Sequence, residues 1–419
     1  MSNQQNLLLA KEAIKKKLTG RELNYREMYA LMDEIASERL GDVLTTYFAA
    51  AGFREGFSDE ELYYLTKAMV ETGTQLHFDG IVADKHSIGG ISGTRASMII
   101  VPIVVAAGYQ MPKTSSRAIT SPAGTADVME VLAPVNLTPD HVRKVMSEVR
   151  GCIIWGGHLG IAPADDVIIR VEEPLSFESF DKIIISIMAK KIAVSANHLV
   201  IDIPIGKTMK IKYHKDALVV KKKFEQIAHR FGIHIEVDIH ETEEPAGHAV
   251  GPTLEAIDVL KVLGQDPTRP MELEARSIRL ASKLLALCYK TEGKTNDPVA
   301  DANEILKSGK AEETFRKIIK AQGGNPNIRW QDLPKGSHIH EVVANQSGTI
   351  GSINNYNLNA LTKILGAPKD QKAGIEILKR PGEVVTKDDP LMKWYASSAK
   401  HLQEAVETLD GFPIYHITP

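Results

Sequence analysis

The sequence predicts an α/β protein in three parts: a helical domain, a mixed-sheet α/β domain, and a small C-terminal α+β, strand-rich domain of barrel-sandwich-like build. Three observations predict it. Helical periodicity fills the chain from Asn6 to about Thr74, and short apolar runs alternate with helical stretches after Gly80. From about Pro334 strand-like runs are split by turn residues. A length of 419 residues also exceeds what one ordinary core supports, so several domains are expected.

The opening helical stretch rests on Leu7, Ala10, Ile14 and Leu18, with similar spacing through Met28–Ile35 and Leu62–Met69. Ser58, followed three residues later by Glu61, is a capping box that starts a helix. After Gly80 come Ile81–Ala83, a glycine-rich turn, an apolar helix over Ala96–Ala107, the strand Gln110–Thr114, a polar loop and the helix Asp127–Leu132. Ile153–Trp155, His198–Ile203 and Ile233–Val237 add strands. Such repetition implies a mostly parallel sheet flanked by helices, with ligands at the carboxyl ends of its strands. Phe180–Lys191 is helical again. The helical domain is therefore expected over 1–78 and 166–197, the α/β domain over 79–165 and 198–333, and the C-terminal domain over 334–419. In the last, HIHEVVA, SGTIGSI, GIEILK, GEVV and LMKWYA predict strands, with helices near Asn357–Leu365 and Ala399–Leu409.

Composition narrows the function. Fifty basic residues against 53 acidic give a formal charge of -3, which argues against binding a nucleic-acid polymer. Two distant cysteines, Cys152 and Cys288, make no disulfide framework and point to a reducing, cytoplasmic home. The apolar run Ala96–Ala107 is too short for a bilayer and contains Pro102, and the first twenty residues lack a cleavage site. A soluble chain with no membrane partner is expected.

Two stretches carry chemistry. Asp84-Lys85-His86-Ser87-Ile88-Gly89-Gly90 follows a predicted strand and precedes a helix, so backbone N–H groups and an ammonium make an anion site. A tight turn with a solvated lysine fits the same residues equally well. Lys113 to Asp127 holds six hydroxyls, Arg117 and a glycine, again between strand and helix. Hydroxyls can surround a phosphate while Arg117 pairs with it, or Thr125 or Asp127 merely caps the next helix. Two such loops in successive units of one sheet would face each other, which favours anion binding. Neither is a Walker A loop or a GxGxxG turn. His234 with His240, and His338 with His340, lack zinc-ligand spacing, so no metal is expected. His158 lies on a loop at the predicted ligand edge, and His86 within the first anion loop.

At these loops the chain resembles the thymidine and pyrimidine-nucleoside phosphorylase family. KTSSRAITSPAGTADVMEVLAP is similar to the family signature and DKHSIGG to its phosphate loop. SSRAITSPAGTAD, with GCIIWGG, APADD, MAKK, VIDIPIG and VGPTLEA, resembles the archaeal-type AMP phosphorylase branch. The likeness runs over nearly the whole chain. It implies phosphorolysis: AMP, CMP or UMP plus inorganic phosphate gives free base and ribose 1,5-bisphosphate, with no cofactor, in a homodimer whose partners are the small-molecule nucleotide and phosphate. By that resemblance Lys85, Ser87, Ser97, Ser115 and Thr125 hold the attacking phosphate. Gly90, Ser116, Arg117, Ala118, Ile119, Thr120, Ser121, Thr125, Ser186 and Lys210 match nucleotide-binding positions, and His86 matches a histidine near the leaving base. Helical and α/β domains would flank a cleft whose closure excludes water.

Two departures accompany the resemblance. The family's proton-donor aspartate falls on Glu178, which keeps the carboxyl but adds a methylene; Asp181 and Glu173 are rivals. Archaeal members carry an extra N-terminal domain, whereas this chain opens directly on its helical stretch. The chemistry is physically coherent: a base leaves well only when protonated, and an anion beneath the anomeric carbon both positions the nucleophile and stabilises developing positive charge. Arg117 with Thr120 and Ser121 is the candidate 5′-phosphate site. Rivals are thymidine or pyrimidine nucleoside phosphorolysis and a phosphoribosyltransferase. A biotinyl or lipoyl carrier is suggested by GEVVTKDDPLMKWYA, but Ser397-Ser398-Ala399 stands where its modified lysine belongs.

Overall fold

The computed structural model describes residues 3–418 apart from 90, 120, 176–178 and 243. The chain divides into two compact units. One runs up to Asp84 and adds Gly156–Leu199 and Leu218–Ile235; the other comprises Lys85–Trp155, Val200–Ala217 and everything from Glu236.

The first unit is built on the helices Asn3–Leu18, Tyr25–Ala36, Gly41–Glu55, Asp59–Glu71, Pro163–Glu172 and Phe180–Ile192. Met28, Leu31, Met32, Ile35, Phe48 and Leu62 form its buried interior. The capping box at Ser58 is present: its hydroxyl accepts from the Glu61 N–H at 3.3 Å, and Glu61 accepts from the Ser58 N–H at 3.0 Å. Glu61 does more than cap. Its buried carboxylate also accepts from Lys17 Nζ at 2.8 Å and from the Leu23 N–H at 2.9 Å. A second buried pair joins Lys191 to Asp84 at 2.7 Å, which ties the final turn of Phe180–Ile192 to the start of a strand.

That strand, Ala83–Ser87 (β1), starts two residues later than hydropathy alone predicts, because ion pairs let Asp84 and Lys85 enter the interior. Met111–Ser115 (β2) pairs in parallel with Gly151–Trp155 (β3), Met111 opposite Gly151 and Ser115 opposite Trp155. His198–Ile205 (β4) and His234–Glu241 (β5) complete a separate sheet in the order β1-β4-β5. Among the described residues β1 and β2 therefore belong to different sheets, not to one as the sequence pattern suggests. The apolar helix is found at Ser97–Ala106, buried through Val105 and including Pro102.

The C-terminal part has two small antiparallel sheets. Ala249–Val250 (β6), His338–Val343 (β7), Gly348–Ile353 (β8), Gly374–Ile377 (β9), Val384–Val385 (β10), Pro390–Ala396 (β11) and Tyr415–Thr418 (β12) assemble in the orders β6-β9-β11-β7 and β10-β8-β12. Val342, Ile350, Leu358, Leu361, Ile375, Leu391 and Trp394 fill the space among them. Helices occur at Asn355–Ile364 and Ala399–Thr408, close to expectation. Among the described residues no helix is long and apolar enough to cross a membrane.

Removing the Glu61 carboxylate strands a buried ammonium and two backbone N–H groups. Glu61→Ala is expected to cost about 3–5 kcal/mol, and Glu61→Gln, which keeps an acceptor oxygen, clearly less. Chemical denaturation of the three proteins checks the order.

Candidate active site

Everything at the end of β1 turns on Asp202 of β4. Its buried carboxylate lies 3.3 Å from Lys85 Nζ and 3.5 Å from Arg276 Nη2, and the nearby Ser87 side chain helps keep it ionised. Its backbone carbonyl accepts from the Ile88 N–H at 3.0 Å. Both side chain and main chain of one residue thus fix Lys85 and Ile88. Burial alone would raise the Asp202 carboxyl, but Lys85, Arg276 and His240 outweigh it and hold the group below the usual carboxylate range. Burial pulls the Lys85 ammonium down, opposed by Asp202 and reinforced by the charges of Arg276 and Arg95.

His240 on β5 sits beside this pair, its Nδ1 3.4 Å from Asp202 and 3.3 Å from Asp238. Asp238 in turn meets Lys283 at 3.0 Å and Arg279 at 3.1 Å. Asp202, Asp238 and His240 place one ligand atom each within 4.8 Å of one another, which is the spacing of a cation site. Four cations, Lys85, Arg276, Arg279 and Lys283, already face three carboxylates, Asp202, Asp238 and Glu236. The set is an ion-pair network with a positive surplus, better suited to an anion.

The loop after β2 is closed on itself. Asp127 accepts from the Ala118 N–H at 2.7 Å and from the Gly124 N–H at 2.8 Å, so it caps the helix Thr125–Glu130 and pins the loop together. A Cβ at Gly124 would lie 2.5 Å from the Ser116 carbonyl oxygen, so only glycine permits the closure. Ser115 donates to the Ile154 carbonyl at 3.1 Å and Ser121 to that of Ala123 at 2.9 Å; Ser116 and Ile119 are exposed. Arg117 is committed elsewhere. It binds Glu130 through two 2.7 Å hydrogen bonds, reaches Asp127 at 3.1 Å and stacks over Trp155, and these carboxylates raise its pKa further.

Although β1 and β2 lie in different sheets, one residue joins their loops. The nearly buried Arg95 donates Nη2 to the Ala123 carbonyl at 2.8 Å, places Nη1 3.5 Å from the Thr125 hydroxyl, and pairs through Nε with buried Glu255. Glu255 also accepts from the Gly251 N–H at 3.1 Å. A parallel strut runs through Asp258, which accepts from the N–H groups of His248 at 2.7 Å and Ala249 at 3.1 Å. Gly247 N–H then donates to the Gly93 carbonyl at 2.8 Å. Gly93 has φ +63°, and a Cβ there would meet the Ala249 carbonyl at 2.5 Å.

The sequence-based candidates are distributed as follows. Lys85 and Ser87 meet at Asp202, Thr125 is tied to the first loop by Arg95, and buried Ser97 opens the helix Ser97–Ala106. His86 is half-buried at the end of β1, and Lys210 lies in the turn that brings Gly206 back to Ile211. Gly90, Thr120 and Glu178 lie outside the described residues. In the other unit Ser186 donates to Asp165 at 2.7 Å, and Lys190 contacts both, at 2.6 Å to Asp165 and 3.3 Å to Ser186. Of the rivals to Glu178, Asp181 binds the Phe57 N–H and Lys223, while Glu173 is exposed. Sequence reasoning missed Arg95, Asp202, Glu255, Arg276, Asp165 and Lys190, and weighed His240 only as a metal ligand with His234. For Asp202 the available signal was a lone acid within the apolar run HLVIDIPI.

Comparison with known proteins places these features in context. Residues 11–73 match the helical bundle domain of the glycosyl transferase family, 79–312 its a/b domain, and 349–412 the pyrimidine nucleoside phosphorylase C-terminal domain. An AMP phosphorylase of Thermofilum pendens is 41% identical over 96% of this chain and 78% of its own length. A Bradyrhizobium diazoefficiens protein named "Putative thymidine phosphorylase" is 44% identical over 92% of this chain and 74% of its own. The crystal structure of anthranilate phosphoribosyltransferase from Thermus thermophilus shares the fold, with a TM-score of 0.61 at 18% identity, covering 74% of this chain and 99% of that one.

Burial pushes the Asp258 carboxyl up to about 7, against its two backbone hydrogen bonds and Lys261. In the unfolded chain it would titrate near 4. The folded state therefore holds this proton more tightly. The contribution is fully present below about pH 4 and is lost as pH rises to about 7. The stability difference between wild type and Asp258→Asn should fall across that window in urea titrations at successive pH values; a constant difference would refute the assignment.

Proposed function

Since this chain belongs to the glycosyl transferase family of the thymidine phosphorylase type, we propose that it cleaves nucleoside 5′-monophosphates with inorganic phosphate. The products are the free base and ribose 1,5-bisphosphate. The observation that carries this reading is the buried Lys85–Asp202 pair beside half-buried Ser87, with its surplus of cations, at the carboxyl end of β1. A phosphate bound there gains charge-assisted hydrogen bonds from Lys85 and hydroxyl contacts from Ser87, with Ser97, Ser115 and Thr125 as further donors.

In the reaction a phosphate oxygen forms a bond to the anomeric carbon as the glycosidic C–N bond breaks. The electron pair of that bond leaves on the base nitrogen, which takes a proton from a carboxylic acid or imidazole; Glu178 and His86 are the candidates. Fixed cations and oriented dipoles below the sugar stabilise the positive charge that develops on it. Phosphate serves as co-substrate, and the step uses no cofactor. Cytoplasmic action by a homodimer belongs to the same reading.

Support for the nucleotide substrate comes from the loop SSRAITSPAGTAD and from the Thermofilum pendens relative. Other relatives carry a thymidine phosphorylase name, which favours nucleoside phosphorolysis as the second reading. A panel of AMP, CMP, UMP, adenosine, uridine and thymidine, each with and without phosphate, separates them. The proposal expects phosphate-dependent base release from the monophosphates. Release from nucleosides alone selects the second reading, and release without phosphate contradicts both.

Arg95 joins the two loops, so Arg95→Met should raise the KM for phosphate by on the order of tenfold. Arg95→Lys should recover part of the loss. An unchanged phosphate KM in Arg95→Met would exclude that role.

A further inference from the structure

The helix Asn355–Ile364 belongs to the C-terminal part, yet it touches Ser92, two residues past the first anion loop, and Ile119 in the second. Its first turn is capped by Asn354, whose side chain accepts from the N–H groups of Tyr356 and Asn357. Asn355, Asn359 and Lys363 recur every four residues and so share one face. The Asn355 side-chain oxygen accepts from the Ser92 N–H at 3.4 Å, and that of Asn359 accepts from the Ser92 hydroxyl. Lys363 Nζ donates to the Ile119 carbonyl at 2.9 Å. Leu358 and Leu361 of the same helix are buried in the C-terminal core, so the helix cannot roll and its polar face is held in place.

The charge at the second loop is unevenly matched. Arg117, the cation within the loop, is already balanced by Glu130 and Asp127. Lys363 uses one of its three donors on a neutral carbonyl and, among the described residues, has no carboxylate partner. Its positive charge stands uncompensated beside Ser116–Ile119, where the nucleotide is expected to bind. A dianionic phosphomonoester is the ligand chemistry that fits such a point charge.

We propose that Lys363, delivered by the C-terminal part, binds the 5′-phosphate of the substrate and sets the preference for nucleoside monophosphates over nucleosides. This rests on the nucleotide reading above. It moves the 5′-phosphate contact from Arg117, as sequence reasoning had it, to a residue 246 positions further along the chain. It also gives the C-terminal part a role in substrate choice.

The test compares wild type, Lys363→Met and Lys363→Arg on AMP and on adenosine, with the KM for phosphate measured in each. Lys363→Met should raise the KM for AMP by roughly tenfold to a hundredfold. Its kcat should stay close to wild type, and its activity on adenosine and its phosphate KM should be unchanged. Lys363→Arg should restore most of the AMP affinity. A wild-type KM for AMP in Lys363→Met overturns the proposal, and so does an equal loss on AMP and adenosine, which marks a merely structural contact. If wild type releases base from nucleosides only, the nucleotide reading fails first and this inference falls with it.

Discussion

One buried carboxylate, Asp202, governs the geometry of the candidate site. It stands on β4 within an otherwise apolar run, and there it must be paired or neutralised. Lys85 and Arg276 supply the pairing, and the Asp202 carbonyl takes the Ile88 N–H. The ammonium that would meet a phosphate is thereby positioned before any phosphate arrives. Buried ion pairs add little net stability, since the desolvation of both charges offsets their attraction. Their value here is orientation.

The same arrangement explains how a chain of formal charge -3 can present an anion site. Lys85, Arg95, Arg276, Arg279 and Lys283 are gathered around Asp202, Asp238, Glu236 and Glu255, a local surplus of one cation among these named groups. Lys85, Arg276 and Asp202 are buried, so their charges count for more than that of an exposed lysine, whereas Arg279 is itself exposed. The glycines act on the backbone side of the same problem. Gly93 and Gly124 let main chain approach main chain, so that each loop is closed by contacts a side chain would block.

Periodicity, caps and the ordered motifs made much of this visible in the sequence. The capping box at Ser58, the buried helix after the first loop and the two phosphate-type loops are local features, written in neighbouring residues. What hydropathy could not show is the pairing of charges distant in sequence. Lys17 with Glu61, Lys191 with Asp84 and Lys85 with Asp202 each place a charged residue in the interior, and the last two shift the start of β1. Nothing local marks Arg95, because its partners Ala123, Thr125 and Glu255 are 28 to 160 positions away. Arg117, expected to pair with a phosphate, binds Glu130 through two hydrogen bonds, a partner 13 positions away.

Lys85 is the proposed seat of the attacking anion. Calorimetric titration of inorganic phosphate into wild type and into Lys85→Met measures this most directly. Saturable binding by wild type, abolished in a folded Lys85→Met variant, is the predicted result. Equal affinity in the two proteins would contradict it and move the anion site elsewhere.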